Sequence, residues 1–240
     1  MTNFQVLNNV EHAKMRVITD RGAKYGDSVM FAMTFPFEMR SVQACYPILI
    51  QKDPDSGKFY PVALFGFEQG ENLFLNGAGW DASYVPAMIR RQPFLIGFQK
   101  SNAAAEKQRV VTVDVDHPRV GESDGIAMFQ THGGNSDYLE AVADTLESIH
   151  SGNEQNEAFI DALLKLDLVE SVTLDITLDD ASNNKLEGFY ILDDEKLQAL
   201  EEPALIDLHQ QGFLMPAYMM VASQSQMRGL IDRRNARLAR

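Results

Sequence analysis

The sequence predicts an α+β fold: a mixed, mainly antiparallel β-rich body with a helical hairpin and a helical C-terminal portion. Three observations carry this. Apolar runs of strand length, bounded by turn-forming residues, fill most of residues 1–134. At Asp137 the apolar spacing changes to the three-and-four rhythm of a helix. After Leu192 the chain returns to helical spacing and keeps it to the end. Residues 1–134 form the β-rich portion. Residues 135–240 carry the helical hairpin, a β-hairpin and the last helices, and the two portions are expected to make one compact unit.

Taken in order, residues 1–27 are polar, with one short apolar alternation at Met15 to Ile18 that reads as an edge strand. Ser28 to Thr34 is a buried strand, and Phe35 to Ala44 suits a short helix with Pro36 in its first turn. Tyr46 to Gln51 and Phe59 to Phe67 are apolar strands joined through DPDSG, a turn by composition, so they form a hairpin. Asn72 to Phe98 reads as strand, glycine turn, short helix and strand. Ser83 is the expected cap of that helix, Arg90 and Arg91 fall in its last turn, and Pro93 ends it. Lys100 to Lys107 is a polar loop, and Arg109 to Asp116 alternates as a half-exposed strand.

Leu139, Val142, Leu146 and Ile149 mark one helix, with Asp137 and Glu140 as a capping arrangement. Ser151-Gly152 is expected to break it. A second helix follows from about Glu154 to Leu166, burying Phe159 and Leu163. Val169 to Leu178 and Leu186 to Leu192 make the second β-hairpin, with Val172, Leu174, Ile176 and Leu178 on one side. Short helices near Asp194 and Pro203 lead to Gly212, a C′ residue, and a last helix starts near Pro216.

The balance of charge excludes broad classes. A net charge of −13 opposes general nucleic-acid binding, which needs a basic footprint, and docking on anionic membranes. No run approaches the roughly 18 apolar residues of a membrane span. The first ten residues, MTNFQVLNNV, carry no secretory signal pattern, so a cytoplasmic location is expected, with signal-independent export left open. The single cysteine, Cys45, excludes an internal disulfide and reads as a small buried hydrophobe. Five arginines fall between Arg228 and Arg240. They fit either a solvated helix end or a tail that docks on an acidic partner.

No cofactor motif is present: the chain has neither a Walker lysine loop, nor G-x-G-x-x-G, nor G-x-S-x-G. Two groups of residues are candidates for chemistry. Trp80, Tyr84, Arg90 and Arg91 would line a pocket for an acidic or aromatic ligand or a protein partner, with an arginine as bidentate clamp. The alternative is that the aromatics are core and the arginines cap a helix. Asp114, Asp116, His117 and His132 are the alternative, metal-binding set, although their spacing matches no defined ligand motif. A strand would point Asp114 and Asp116 the same way.

The segment NLFLNGAGWDASYVPAMIRRQPF resembles the Trp, then Tyr-(Val/Ile)-Pro-Ala-x-(Ile/Leu)-Arg-Arg-x-Pro-Phe motif of bacterial SapC-like proteins. YPILIQKD, PVALFGFEQGENLF, GIAMFQTHG and LEGFYILDDEKLQAL are similar to further steps of that family, and the likeness runs from about Tyr46 to Arg233. One departure stands out: the family's last helix carries His-x-x-Ser, whereas Met219 to Ser223 contains no histidine. The resemblance implies a non-enzymatic accessory or binding protein that acts with a bacterial surface or nutrient-uptake system, members being often encoded near TonB-dependent receptors. It implies no catalytic residues. The alternative is a metal-dependent enzyme or oxygenase-associated protein using the Asp114–His132 region.

Overall fold

The structure, a computed structural model, describes residues 2–99 and 108–239; the loop expected over Lys100–Lys107 lies outside the described residues. The strands are β1 Phe4–Val6, β2 Arg16–Val17, β3 Phe31–Met33, β4 Ile48–Lys52, β5 Phe59–Leu64, β6 Leu75–Asn76, β7 Gly79–Trp80, β8 Phe94–Gln99, β9 Gln108–Asp114, β10 Val120–Gly121, β11 Ile126–Ala127, β12 Val169–Thr177 and β13 Asn183–Leu192. The helices are α1 Met39–Val42, α2 Ala87–Arg90, α3 Asp137–Lys165, α4 Asp194–Gln198, α5 Glu202–Gln210, α6 Leu214–Ser223 and α7 Gln226–Leu238. Among the described residues every strand pairing is antiparallel, as expected of an α+β fold.

The chain forms two compact units, each drawn from two separated segments: Met1–Asp27 with Ala87–Ser151, and Ser28–Pro86 with Gly152–Arg240. In the first unit the sheet order is β1-β9-β8, with a smaller sheet β10-β2-β11. Met15, Val17, Phe94, Val113, Met128, Val142 and Leu146 form its core. The second unit holds a five-stranded sheet of order β12-β13-β4-β5-β3. Ile48, Leu49, Ile50, Val62, Ala63 and Leu64 on its two central strands are wholly buried. That is why their sequence reads as continuous apolar runs rather than an alternation. On the outer hairpin the alternation survives: Ile176 and Leu178 are buried while Asp175 and Thr177 face solvent.

The expected helical hairpin is instead one helix of 29 residues. Its buried stripe continues from Ile149 through Gly152 and Asn156 to Phe159 and Leu163. Gly152 serves close packing there rather than a break. A Cβ at Gly152 would lie 2.8 Å from Phe35 and 2.9 Å from Phe37, whose rings stack 5.5 Å apart. Only a residue without a side chain lets the helix approach so closely. The cap is Ser136, whose Oγ accepts the Leu139 amide, rather than Asp137.

The last helix is likewise two, α6 and α7, separated at Gln224-Ser225. Ser223 and Ser225 donate their hydroxyls to the carbonyls of Met220 and Ala222. Such back-bonding from serine weakens the helical ladder and favours a bend. The Ser223 Oγ also accepts the Ile48 amide at 2.8 Å, tying α6 to β4.

Candidate functional site

Within the second unit, Tyr46 precedes β4 and is wholly buried. Its hydroxyl donates to the Tyr84 carbonyl and accepts the Trp80 indole N–H at 2.7 Å. Burial raises the Tyr46 pKa, so the group stays a neutral phenol. The Trp80 ring stands edge-on to Phe65 at 5.2 Å and to Tyr46 at 6.5 Å. It is half-buried against these rings. The Tyr84 hydroxyl donates to Glu38 Oε2 at 2.7 Å, and Thr34 Oγ1 donates to Glu38 Oε1 at 2.9 Å. Trp80 and Tyr84 are therefore brought together through Tyr46. Cys45 is half-buried, its Sγ 3.2 Å from Ser83 Oγ.

Arg90 and Arg91 belong to the first unit. Arg90 is exposed at the end of α2. Arg91 is half-buried, donates from Nη1 to the Phe94 carbonyl at 3.0 Å, and has its pKa lowered by burial. Successive helical residues point about 100° apart, which explains the split.

The alternative metal set is dispersed. Asp114 ends β9, is buried, and accepts the Asn3 amide at 2.8 Å. Asp116 is exposed, because the chain turns at Asp114, where the His117 amide bonds back to its carbonyl. The expected shared direction of Asp114 and Asp116 is thus lost with the strand. His117 Nδ1 accepts the Arg119 amide at 3.2 Å, and burial, with Arg119 second, lowers its pKa. His132 sits exposed in a separate turn. Among the described residues no group of three or more His, Cys, Asp or Glu side chains is placed to hold a metal.

Beside these, the first unit holds a charge cluster with no sequence signal. Asp27 is 0% exposed and Arg119 is 1% exposed. Arg119 Nη2 donates to Asp27 Oδ2 at 2.6 Å, and Arg119 Nη1 donates to the carbonyls of Ile18 and Asp20. The guanidinium lies 4.9 Å from the centre of the Tyr25 ring. Gly22 N–H donates to the same aspartate oxygen at 2.8 Å, and Arg21 Nη1 approaches the other at 3.4 Å. Desolvation, then Arg119, lowers the Arg21 pKa. With both Arg119 amino groups engaged internally, the cluster works as a clamp between residues 18–27 and Arg119.

One concave feature of the second unit is a cleft of about 540 Å³. Phe31, Met33, Phe59 and Tyr60 form its apolar walls, and Asn153, Asn156 and Glu157 of α3 close it. Pro61 explains the arrangement. Thr34 N–H donates to the Pro61 carbonyl, but proline has no N–H to return. Asn156 supplies the missing donor: its Nδ2 reaches the Thr34 carbonyl at 2.9 Å. The Asn156 Oδ1 is left buried with no hydrogen-bond partner. The β3 register, with Phe31 opposite Leu64 and Met33 opposite Val62, turns the backbone N–H and C=O of Phe31 and Met33 away from β5. Neither Asn156 nor this edge stood out in the sequence, although a proline inside an apolar strand is a readable sign of a missing ladder donor.

A family model described as SapC matches residues 7–230 of the chain. A search of curated proteins returns no match, and neither does a search of solved structures.

Proposed function

The chain belongs to the SapC family, and from that premise we propose that it is a non-catalytic binding protein whose ligand occupies the cleft walled by Phe31, Met33, Phe59 and Tyr60. The observation that carries the reading is the pairing of this cleft with the outer edge of β3, which pairs with no further strand among the described residues. About 540 Å³ is ample for a small ligand or a short run of peptide. Aromatic walls favour an apolar group, and the outward backbone groups of Phe31 and Met33 favour an amide-bearing or extended partner. The protein would thereby serve as an accessory to a bacterial surface or nutrient-uptake system, working from the cytoplasm; the free Cys45 thiol fits a reducing compartment.

The test uses Asn153→Trp, because Asn153 is exposed on the cleft wall and a larger ring there fills the space without touching the core. Both proteins are used as bait in native lysate, and what they retain is identified by mass spectrometry. The wild type is expected to hold a species that the variant loses at an unchanged melting temperature. Equal retention by both would remove the cleft from the account.

A further inference from the structure

The helix α7 is held largely by its arginines, with Met227 and Ile231 half-buried and the Asn235 Oδ1 accepting the Asp179 amide at 3.1 Å. Leu230 is its one buried residue. Arg233 donates to the Asp81 carboxylate at 2.7 Å and to the Asp81 carbonyl at 3.0 Å, and its guanidinium lies 4.4 Å from the centre of the Phe74 ring. Arg234 bonds Glu71 and, at 2.9 Å, Glu68. Arg237 donates to the carbonyls of Asn72 and Leu75 at 2.6 and 2.7 Å. The strip is shaped for this. A Cβ at Gly66 would lie 2.8 Å from Glu71, so only glycine lets that carboxylate fold back under the arginine.

We propose that the segment from Glu68 to Asp81 is a receptor for an arginine-bearing helix, occupied by the chain's own α7 and able to take α7 from a second copy instead. Charge complementarity identifies the occupant: carboxylates and carbonyls converge on arginines spaced i, i+1 and i+4. Exchange is open to α7 because a single residue, Leu230, is fully buried and because the chain already breaks at Gln224-Ser225. Strength of hold falls with ionic strength at Glu68 and Asp81, each 56% exposed and screened by salt, while Glu71, 8% exposed, is screened less.

The probe is a fluorescent synthetic peptide of residues 226–240, titrated with the full chain. The internal helix competes with it, so the double variant Arg233→Glu/Arg234→Glu, whose own α7 is repelled, should bind the wild-type peptide at least about tenfold tighter than the wild-type chain does. A peptide carrying the same two charge reversals should bind neither. Equal affinity of the two chains for the wild-type peptide would overturn the proposal, as would equal binding of the two peptides. Should the double variant fail to fold, amide exchange on the wild-type chain decides. Exchange along α7 should quicken between about 20 mM and about 500 mM salt. Exchange there that ignores salt would show a helix that is not displaceable.

Discussion

Arg119 and Arg234 perform the same chemistry under opposite conditions. Arg119 meets Asp27 with both side chains essentially removed from water. Arg234 meets two carboxylates nearer the surface: its own side chain is 20% exposed, that of Glu68 is 56% exposed and that of Glu71 only 8%. Burial strengthens the attraction but imposes desolvation on both partners, so a buried pair is valuable chiefly because breaking it strands a charge. A surface pair gains little and risks little. The first unit therefore uses its pair as a permanent fastening, and the second unit uses its arginines as a hold that can be released.

The comparison breaks most visibly at Asp27. Asp27→Asn leaves Arg119 buried without its counter-charge and is expected to destabilise the protein by about 3–5 kcal/mol in denaturant titration. The loss should be the same at low and high salt. A salt-dependent loss would mean that Asp27 is reached by solvent.

Smaller effects follow in the second unit. Asn156→Leu deprives the Thr34 carbonyl of its donor and should cost about 1–3 kcal/mol by the same titration. Arg234→Ala removes the partner of an exposed carboxylate, Glu68, and of a largely buried one, Glu71; it should cost about 1 kcal/mol at low ionic strength and less, though not zero, in about 1 M salt.

The smallest expected effect is a pH dependence that sharpens the same contrast. The pKa of His117 is depressed below 6.5, first by burial and then by Arg119, and its Nδ1 lone pair is already used to accept the Arg119 amide. Below about pH 6.5 the unfolded chain takes up a proton that the folded chain resists, so stability falls as pH falls. His117→Gln should flatten the decline in melting temperature between about pH 6.5 and pH 5.

Much of the fold was legible because period and turn chemistry are local. The hairpin of β4 and β5 followed from two apolar runs around DPDSG, where Asp53 Oδ1 accepts the Ser56 amide at 2.6 Å. Gly152 has the local signature of a helix break, but it answers to Phe35 and Phe37, more than 100 positions away in sequence. Of the expected site residues, the link between Trp80 and Tyr84 depends on Tyr46, which reads only as the start of an apolar strand. The Asp27–Arg119 pair spans 92 positions and carries no spacing rule at all. The arginines of α7 were visible as a cluster, but their acceptors, three of them backbone carbonyls, have no sequence signature.

If the charged groups of both units serve the fold, then binding falls to the cleft beside β3. The direct measurement is quantitative pulldown with wild type and Asn153→Trp, paired with melting curves for each. A species retained by the wild type should disappear from Asn153→Trp while stability holds. Retention of that species by the filled cleft, but not by Arg90→Ala, would contradict it and move the binding site to the exposed end of α2.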